Sequence, residues 1–223
     1  MSADFLKRLS NLLGCAFLIC AILGIWFTGM RSVETEAGLV EIMSALTLFV
    51  AVVVFALASG PDTLGRYWFG TVILVFLCAR ELDVDKRLFE HGLLSLKHYT
   101  GAAPLWQKGI GALIAAGLIA ALVMLGRRGL PRLVAGLRDR RTWAVLIAVA
   151  LGLVVVGKGL DGFERKFPGL VQMLPAGTVQ HALFWEEVFE LAAALCLLLA
   201  VPRLPVGRQA AYHEQRDGHH EMS

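Results

Sequence analysis

Six apolar runs, each near the length a helix needs to cross a bilayer, govern what this chain can become. They cover Leu12–Thr28, Leu39–Ala58, Leu64–Leu82, Leu105–Leu125, Trp143–Leu160 and His181–Val201. A hydrocarbon core of ~30 Å needs about 20 mainly apolar residues at 1.5 Å each. Lipid offers no partner to backbone amides, so a spanning segment must be a helix or part of a closed barrel. None of these runs alternates as barrel strands do. A hydrophobic content of 57% and a mean hydropathy of +0.66 lie outside the range of a soluble domain. The predicted fold is an all-α membrane protein of six transmembrane helices over residues 1–205. A polar stretch, 206–223, reads as a disordered cytoplasmic tail.

Basic residues orient the bundle. With the amino terminus inside, Lys7, Arg8, Arg66, Arg203, Arg208 and Arg216 lie on the inner side. So does the loop carrying Arg127, Arg128, Arg132, Arg138, Arg140 and Arg141, which makes twelve of the 21 basic residues. The positive-inside rule places both termini in the cytoplasm. Twelve of the 18 acids fall on the outer side. The Arg-rich, Lys-poor composition fits a GC-rich bacterium, and the expected location is the bacterial inner membrane. Leu12-Leu13-Gly14-Cys15 resembles a lipoprotein cleavage box, but its apolar run follows the cysteine, so the first span reads as an uncleaved anchor. Cys15, Cys20, Cys78 and Cys196 lack paired spacing and read as packing residues.

Carboxylates inside these spans are the functional signal. An acid in hydrocarbon costs at least ~2.5 kcal/mol and marks a functional site by default. The sixth span cannot avoid its acids: Leu191 to Val201 alone is eleven residues, about 16 Å. A full crossing reaches back to His181 and places Glu190 near mid-depth. Glu186 and Glu190 are four apart on one face, and Glu187 flanks them. Three carboxylates so close need a cation, a proton or a basic partner. The third span ends on Arg80 and Glu81, the fifth on Lys158 and Asp161, and the second begins with Glu41. Glu41, Glu81, Asp83, Asp161, Glu186, Glu187 and Glu190 therefore converge on one outward-facing pocket, with Arg80, Lys158, Arg31 and Arg165 as candidate charge partners. A short repeat, Arg80-x-Leu82-Asp83 against Lys158-x-Leu160-Asp161, pairs a base with an acid three residues on and relates two helical hairpins. Apolar stripes in both outer loops, Leu88, Phe89, Leu93, Leu94 and Leu96 in one and Phe163, Phe167, Leu170 and Leu174 in the other, read as interfacial covers.

Three chemistries suit this constellation. The first is binding of a small cation, as a metal or a proton, for transport. The oxygen-rich donor set favours hard ions. The second is a metal-dependent intramembrane enzyme acting on a lipid or lipid-linked substrate. A divalent metal cofactor would be held by carboxylates with His181, and Arg31, Arg80, Lys158, Arg165 and Lys166 would hold a lipid head group. No zinc-protease spacing is present, and the chain lacks the arginine and later histidine motifs that membrane-embedded CAAX-type proteases place after a Glu-Glu pair. The third is structural: the acids pair with the bases and fix helix register. The inner arginines are explained by topology, with anionic-lipid contact in addition. The partners expected are the lipid bilayer and a small cation or lipid head group, and nothing points to nucleic acid.

Overall fold

In the computed structural model the described residues are 2–28, 38–84, 88, 93, 95, 99–101, 104–162, 166, 169, 175 and 178–205, with 60–63 described by their backbone only. These residues form an all-helical bundle with no strand among them. The long helices are α1 (Ala3–Thr28), α2 (Leu39–Arg66), α3 (Trp68–Glu81), α4 (Leu105–Met124), α5 (Leu130–Arg138), α6 (Thr142–Leu160) and α7 (Thr178–Ala200). Four segments are long and apolar enough to cross a membrane: Ala3–Phe27, Leu39–Ser59, Leu105–Arg138 and Thr142–Leu160. The other two predicted spans differ for separate reasons. α3 has only 14 residues, and α7 carries Glu186, Glu187 and Glu190 around its middle.

Helix boundaries depart from the sequence reading in ways the side chains explain. The first helix starts well before Leu12, because the Ser2 hydroxyl accepts the Phe5 amide at 3.3 Å and caps the first turn. The predicted start of the third span at Leu64 is wrong. α2 continues through Pro61 to Arg66, and the chain turns at Tyr67. A proline removes a single ladder hydrogen bond, and here that loss does not end the helix. The basic segment read as a loop is also helical. α4 passes through a π-helical turn, Leu125–Gly129, into α5. Pro131 has no amide to give the Arg127 carbonyl, and its ring would crowd that carbonyl in a regular helix. The wider turn, in which the Leu130 amide reaches back to the Leu125 carbonyl, accommodates it. Within α5, Leu130, Leu133, Val134 and Leu137 recur at helical spacing among arginines.

Packing is inverted relative to a soluble bundle. Trp26, Phe27, Leu105, Leu113 and Val155 are exposed, whereas Ser10, Ser44 and Thr47 are fully buried. A soluble monomer does not expose so much large apolar surface, while small hydroxyl residues between helices are usual in lipid. α7 and α2 form the centre. Ala51, Val54 and Phe55 of α2 meet Leu74 of α3 and Leu198 of α7, and Ala21 of α1 meets Val40 and Leu191. Ser44 and Thr47 return their hydroxyls to the carbonyls of Val40 and Met43 at 3.0 and 2.7 Å.

Chain ends are joined by a second proline effect. A regular helix would give the Leu198 carbonyl the amide of residue 202, but that residue is Pro202. The buried Ser10 hydroxyl donates to this carbonyl instead, at 2.7 Å. Arg203 closes the same end of α7, its guanidinium reaching both the Leu199 carbonyl and, at 2.8 Å, Asn11. Ser10→Ala leaves the Leu198 carbonyl buried without this donor and is expected to destabilise the fold by about 1–3 kcal/mol. A drop in the unfolding temperature of the detergent-solubilised protein checks this, and an unchanged value would show that the bond carries no net stability.

Candidate functional site

The carboxylates sit where three helix ends meet. α3 brings Arg80 and Glu81 at its last turn, α6 brings Lys158 at its last turn with Asp161 just beyond, and α7 brings Glu186, Glu187 and Glu190. Glu41 lies in the first turn of α2. α6 lies against α7 at Gly157, where an added methyl would stand 3.7 Å from both the Glu186 carbonyl and the Phe189 side chain, at ordinary van der Waals contact.

Glu190 is the junction. Its Oε1 accepts from Arg80 Nη2 at 2.6 Å and lies 3.1 Å from Lys158 Nζ. Lys158 also reaches Glu186 Oε1 at 3.2 Å and Asp161 Oδ2 at 3.3 Å. One ammonium thus serves three carboxylates and one carboxylate serves two cations, across α3, α6 and α7. The side chains of Glu186 and Glu190 are only 12% and 13% exposed, so little solvent screens these pairs. The Lys166 ammonium caps the end of α6 by donating to the Lys158 carbonyl at 2.8 Å.

Other acids gather around this junction. Glu81 lies within electrostatic reach of Glu190, Arg80, Lys158 and Glu41. Glu187 lies among Glu190, Glu41, Glu81 and Glu186, and its Oε2 is buried with no hydrogen-bond partner. Among the described residues, Arg80 and Lys158 are ion-paired with three of the acids, Glu186, Glu190 and Asp161.

Several expectations change on this geometry. Lys158 pairs with the acid three residues on, as its motif implies, whereas the Arg80 guanidinium is drawn across to Glu190. The two halves of the repeat also end differently. Asp83 adopts a left-handed backbone at φ 48°, while on α6 that conformation falls one residue later, at Gly162. His181 is exposed, and its five-residue offset turns it off the Glu186 face. Among the described residues no three His, Cys, Asp or Glu side chains are grouped to hold a metal ion. Arg31, Arg165, His91, His98, the tail and most of both loop stripes lie outside the described residues. Cys78 donates to the Ala45 carbonyl at 3.5 Å, a packing role, and all four cysteines are free. Comparison of the chain with protein-family models, with curated proteins and with solved structures gives no match in any of the three.

Two bases shared by three acids make the bases the sensitive members. Arg80→Leu and Lys158→Met each strand buried carboxylates and are expected to cost roughly 3 kcal/mol. Glu190→Gln should cost clearly less, since the amide oxygen still accepts from both cations. Unfolding temperatures of the three variants in one detergent check the order, and a larger loss for Glu190→Gln would reverse it.

Proposed function

We propose that this chain is a six-span protein of a bacterial inner membrane, with both termini inside, whose carboxylate centre takes up a cation for transport, a proton ahead of a metal. The observation that carries this reading is Glu187, a carboxylate with a buried, unpartnered oxygen set among four others. The ion-paired acids share Arg80 and Lys158, whereas the buried Glu187 oxygen has no such partner. Neutralising a carboxylate in hydrocarbon requires a counter-cation, a metal or a proton. A proton is favoured because it needs one oxygen, and no metal-ligating group of three is found among the described residues.

Packing supports counting α3 and α7 as the additional spans. α7 lies along α6 and α2, and α3 along α2 and α4, between helices that qualify by length and composition. α3 is about 21 Å long, short of the hydrocarbon thickness, which brings its Arg80 end to membrane depth. A second reading, helix stitching, draws on Glu190 bridging two helices beyond its own. The two are compatible: the paired acids hold the helices, and Glu187 exchanges the cation.

A hydrophobic carbodiimide reacts with protonated carboxyls in apolar surroundings. Peptide mapping by mass spectrometry should find it on Glu187 in preference to the ion-paired Glu186 and Glu190, with the adduct lost in Glu187→Gln. Absence of the Glu187 adduct in folded protein would sink the proton reading. Proton flux into proteoliposomes, abolished by the same substitution, is the transport readout. Stoichiometric divalent metal in the wild type, lost in a Glu186→Gln/Glu190→Gln variant, would favour the metal versions instead.

Topology is tested separately, in a background lacking the four native cysteines. Cysteine at position 166 should react with an impermeant maleimide from the periplasm, and cysteine at position 140 only after the inner face is opened. The reverse pattern inverts the protein in the membrane.

A further inference from the structure

A second charged site lies at the other ends of α2, α3 and α4. A cleft of roughly 350 Å³ is lined by Arg66, Tyr67, Arg127, Arg128, Pro131 and Arg132. Arg66 is the last residue of α2, Tyr67 forms the turn before α3, and the other three arginines follow from the π-helical turn and the start of α5. The sequence motive for the turn is Pro131, and its consequence is to bring Arg127 and Arg128 to the same cleft as Arg132. One wall is already set: Arg132 Nη1 donates to the Tyr67 hydroxyl at 2.6 Å, and its guanidinium lies 5.2 Å from the centre of that ring.

We infer that this cleft binds a phosphate ester anion, through the guanidiniums of Arg66, Arg127, Arg128 and Arg132 with the Tyr67 hydroxyl as an additional donor. Four guanidiniums round one cleft repel one another, and among the described residues none of them is ion-paired with a carboxylate. Planar guanidinium forks match phosphate oxygens two at a time, which single ammonium groups do not. The Tyr67 oxygen accepts from Arg132 and keeps its own proton to donate. The cleft is at the small end of ligand-site volumes and suits a head group more than a whole nucleotide. Topology alone requires basic residues near the membrane but does not require them to share a cleft. Arg138, Arg140 and Arg141 of the same segment lie outside it, Arg141 being 3.9 Å from Asp139.

Two sources offer this chemistry: the head group of an anionic phospholipid, and free phosphate. The full-length protein in a neutral detergent is titrated with a short-chain phosphatidic acid, with short-chain phosphatidylcholine and with inorganic phosphate, and its unfolding temperature is read. Stabilisation by phosphatidic acid but not by phosphate assigns a lipid, and stabilisation by both assigns the anion itself. Either response should weaken by about tenfold or more in apparent affinity in Arg128→Gln/Arg132→Gln, and remain in Arg138→Gln/Arg140→Gln. Arg127→Gln alone gives the same test if the double variant does not fold. The inference is overturned if neither anion stabilises the protein. It is also overturned if phosphatidylcholine works equally well, or if both double variants lose the response alike, which would leave only a diffuse positive field.

Discussion

Everything at the polar end of this protein follows from the cost of holding a charge away from water. A lone carboxylate on α7 would be expelled from the bundle, or would prevent α7 from entering it. Glu190 is retained because two cations from two other helices meet on one of its oxygens. That arrangement fixes helix positions as well as charge. Lys158 can reach Glu190 and Glu186 only if α6 lies closely along α7, as it does beside Gly157. Arg80 can reach Glu190 only if α3 ends at the same depth. The ion pairs and the packing therefore specify one another, and the remaining acids inherit an environment they did not create.

Within that environment the acids divide by partner rather than by position in the chain. Glu186, Glu190 and Asp161 share cations, whereas Glu187, adjacent to Glu186 in sequence, has a buried oxygen with none. A helix places adjacent residues about 100° apart, enough to put one on the Lys158 side and the other among carboxylates. Structural and exchangeable acids can coexist in one cluster for this reason, and Lys158→Met and Glu187→Gln address different parts of it.

Much of the site was legible in the sequence because it rested on length. Eleven apolar residues after Glu190 are too few to span a bilayer, and the run before Arg80 is as short, so the expected spans drew the acids in with them. What the sequence could not display was partner choice. The i,i+3 motif around Arg80 is a local signal, and the competing partner, Glu190, is 110 residues away. The lining of the phosphate cleft was hidden for a similar reason. A basic segment between two spans reads as a topological signal, and nothing local says that it continues as a helix. The clue was Pro131, which reads as a breaker until the wider turn before it is taken into account. Pro202 gives the same lesson at α7, where the missing amide is replaced by Ser10, the best part of 200 residues earlier.

The two ends of the bundle use charge in opposite ways. Among the described residues three acids at one end, Glu186, Glu190 and Asp161, share two bases, and four arginines at the other surround a cleft without a paired acid. Neither end neutralises the other, because the apolar length of α2 separates Glu41 from Arg66 by 25 residues, about 38 Å along the helix. Interaction over such a distance is weak if both ends are wetted and screened by salt. Each end must then find its own counter-charge. In the proposed function a cation at the acidic end is taken up singly and close to hydrocarbon, where neutralisation matters most. An anion at the arginine end meets groups at the rim of the bundle, where phosphate head groups are abundant. The fold thus joins two sites of opposite sign, and in the proposed topology the α2–α3 hairpin contributes residues to both.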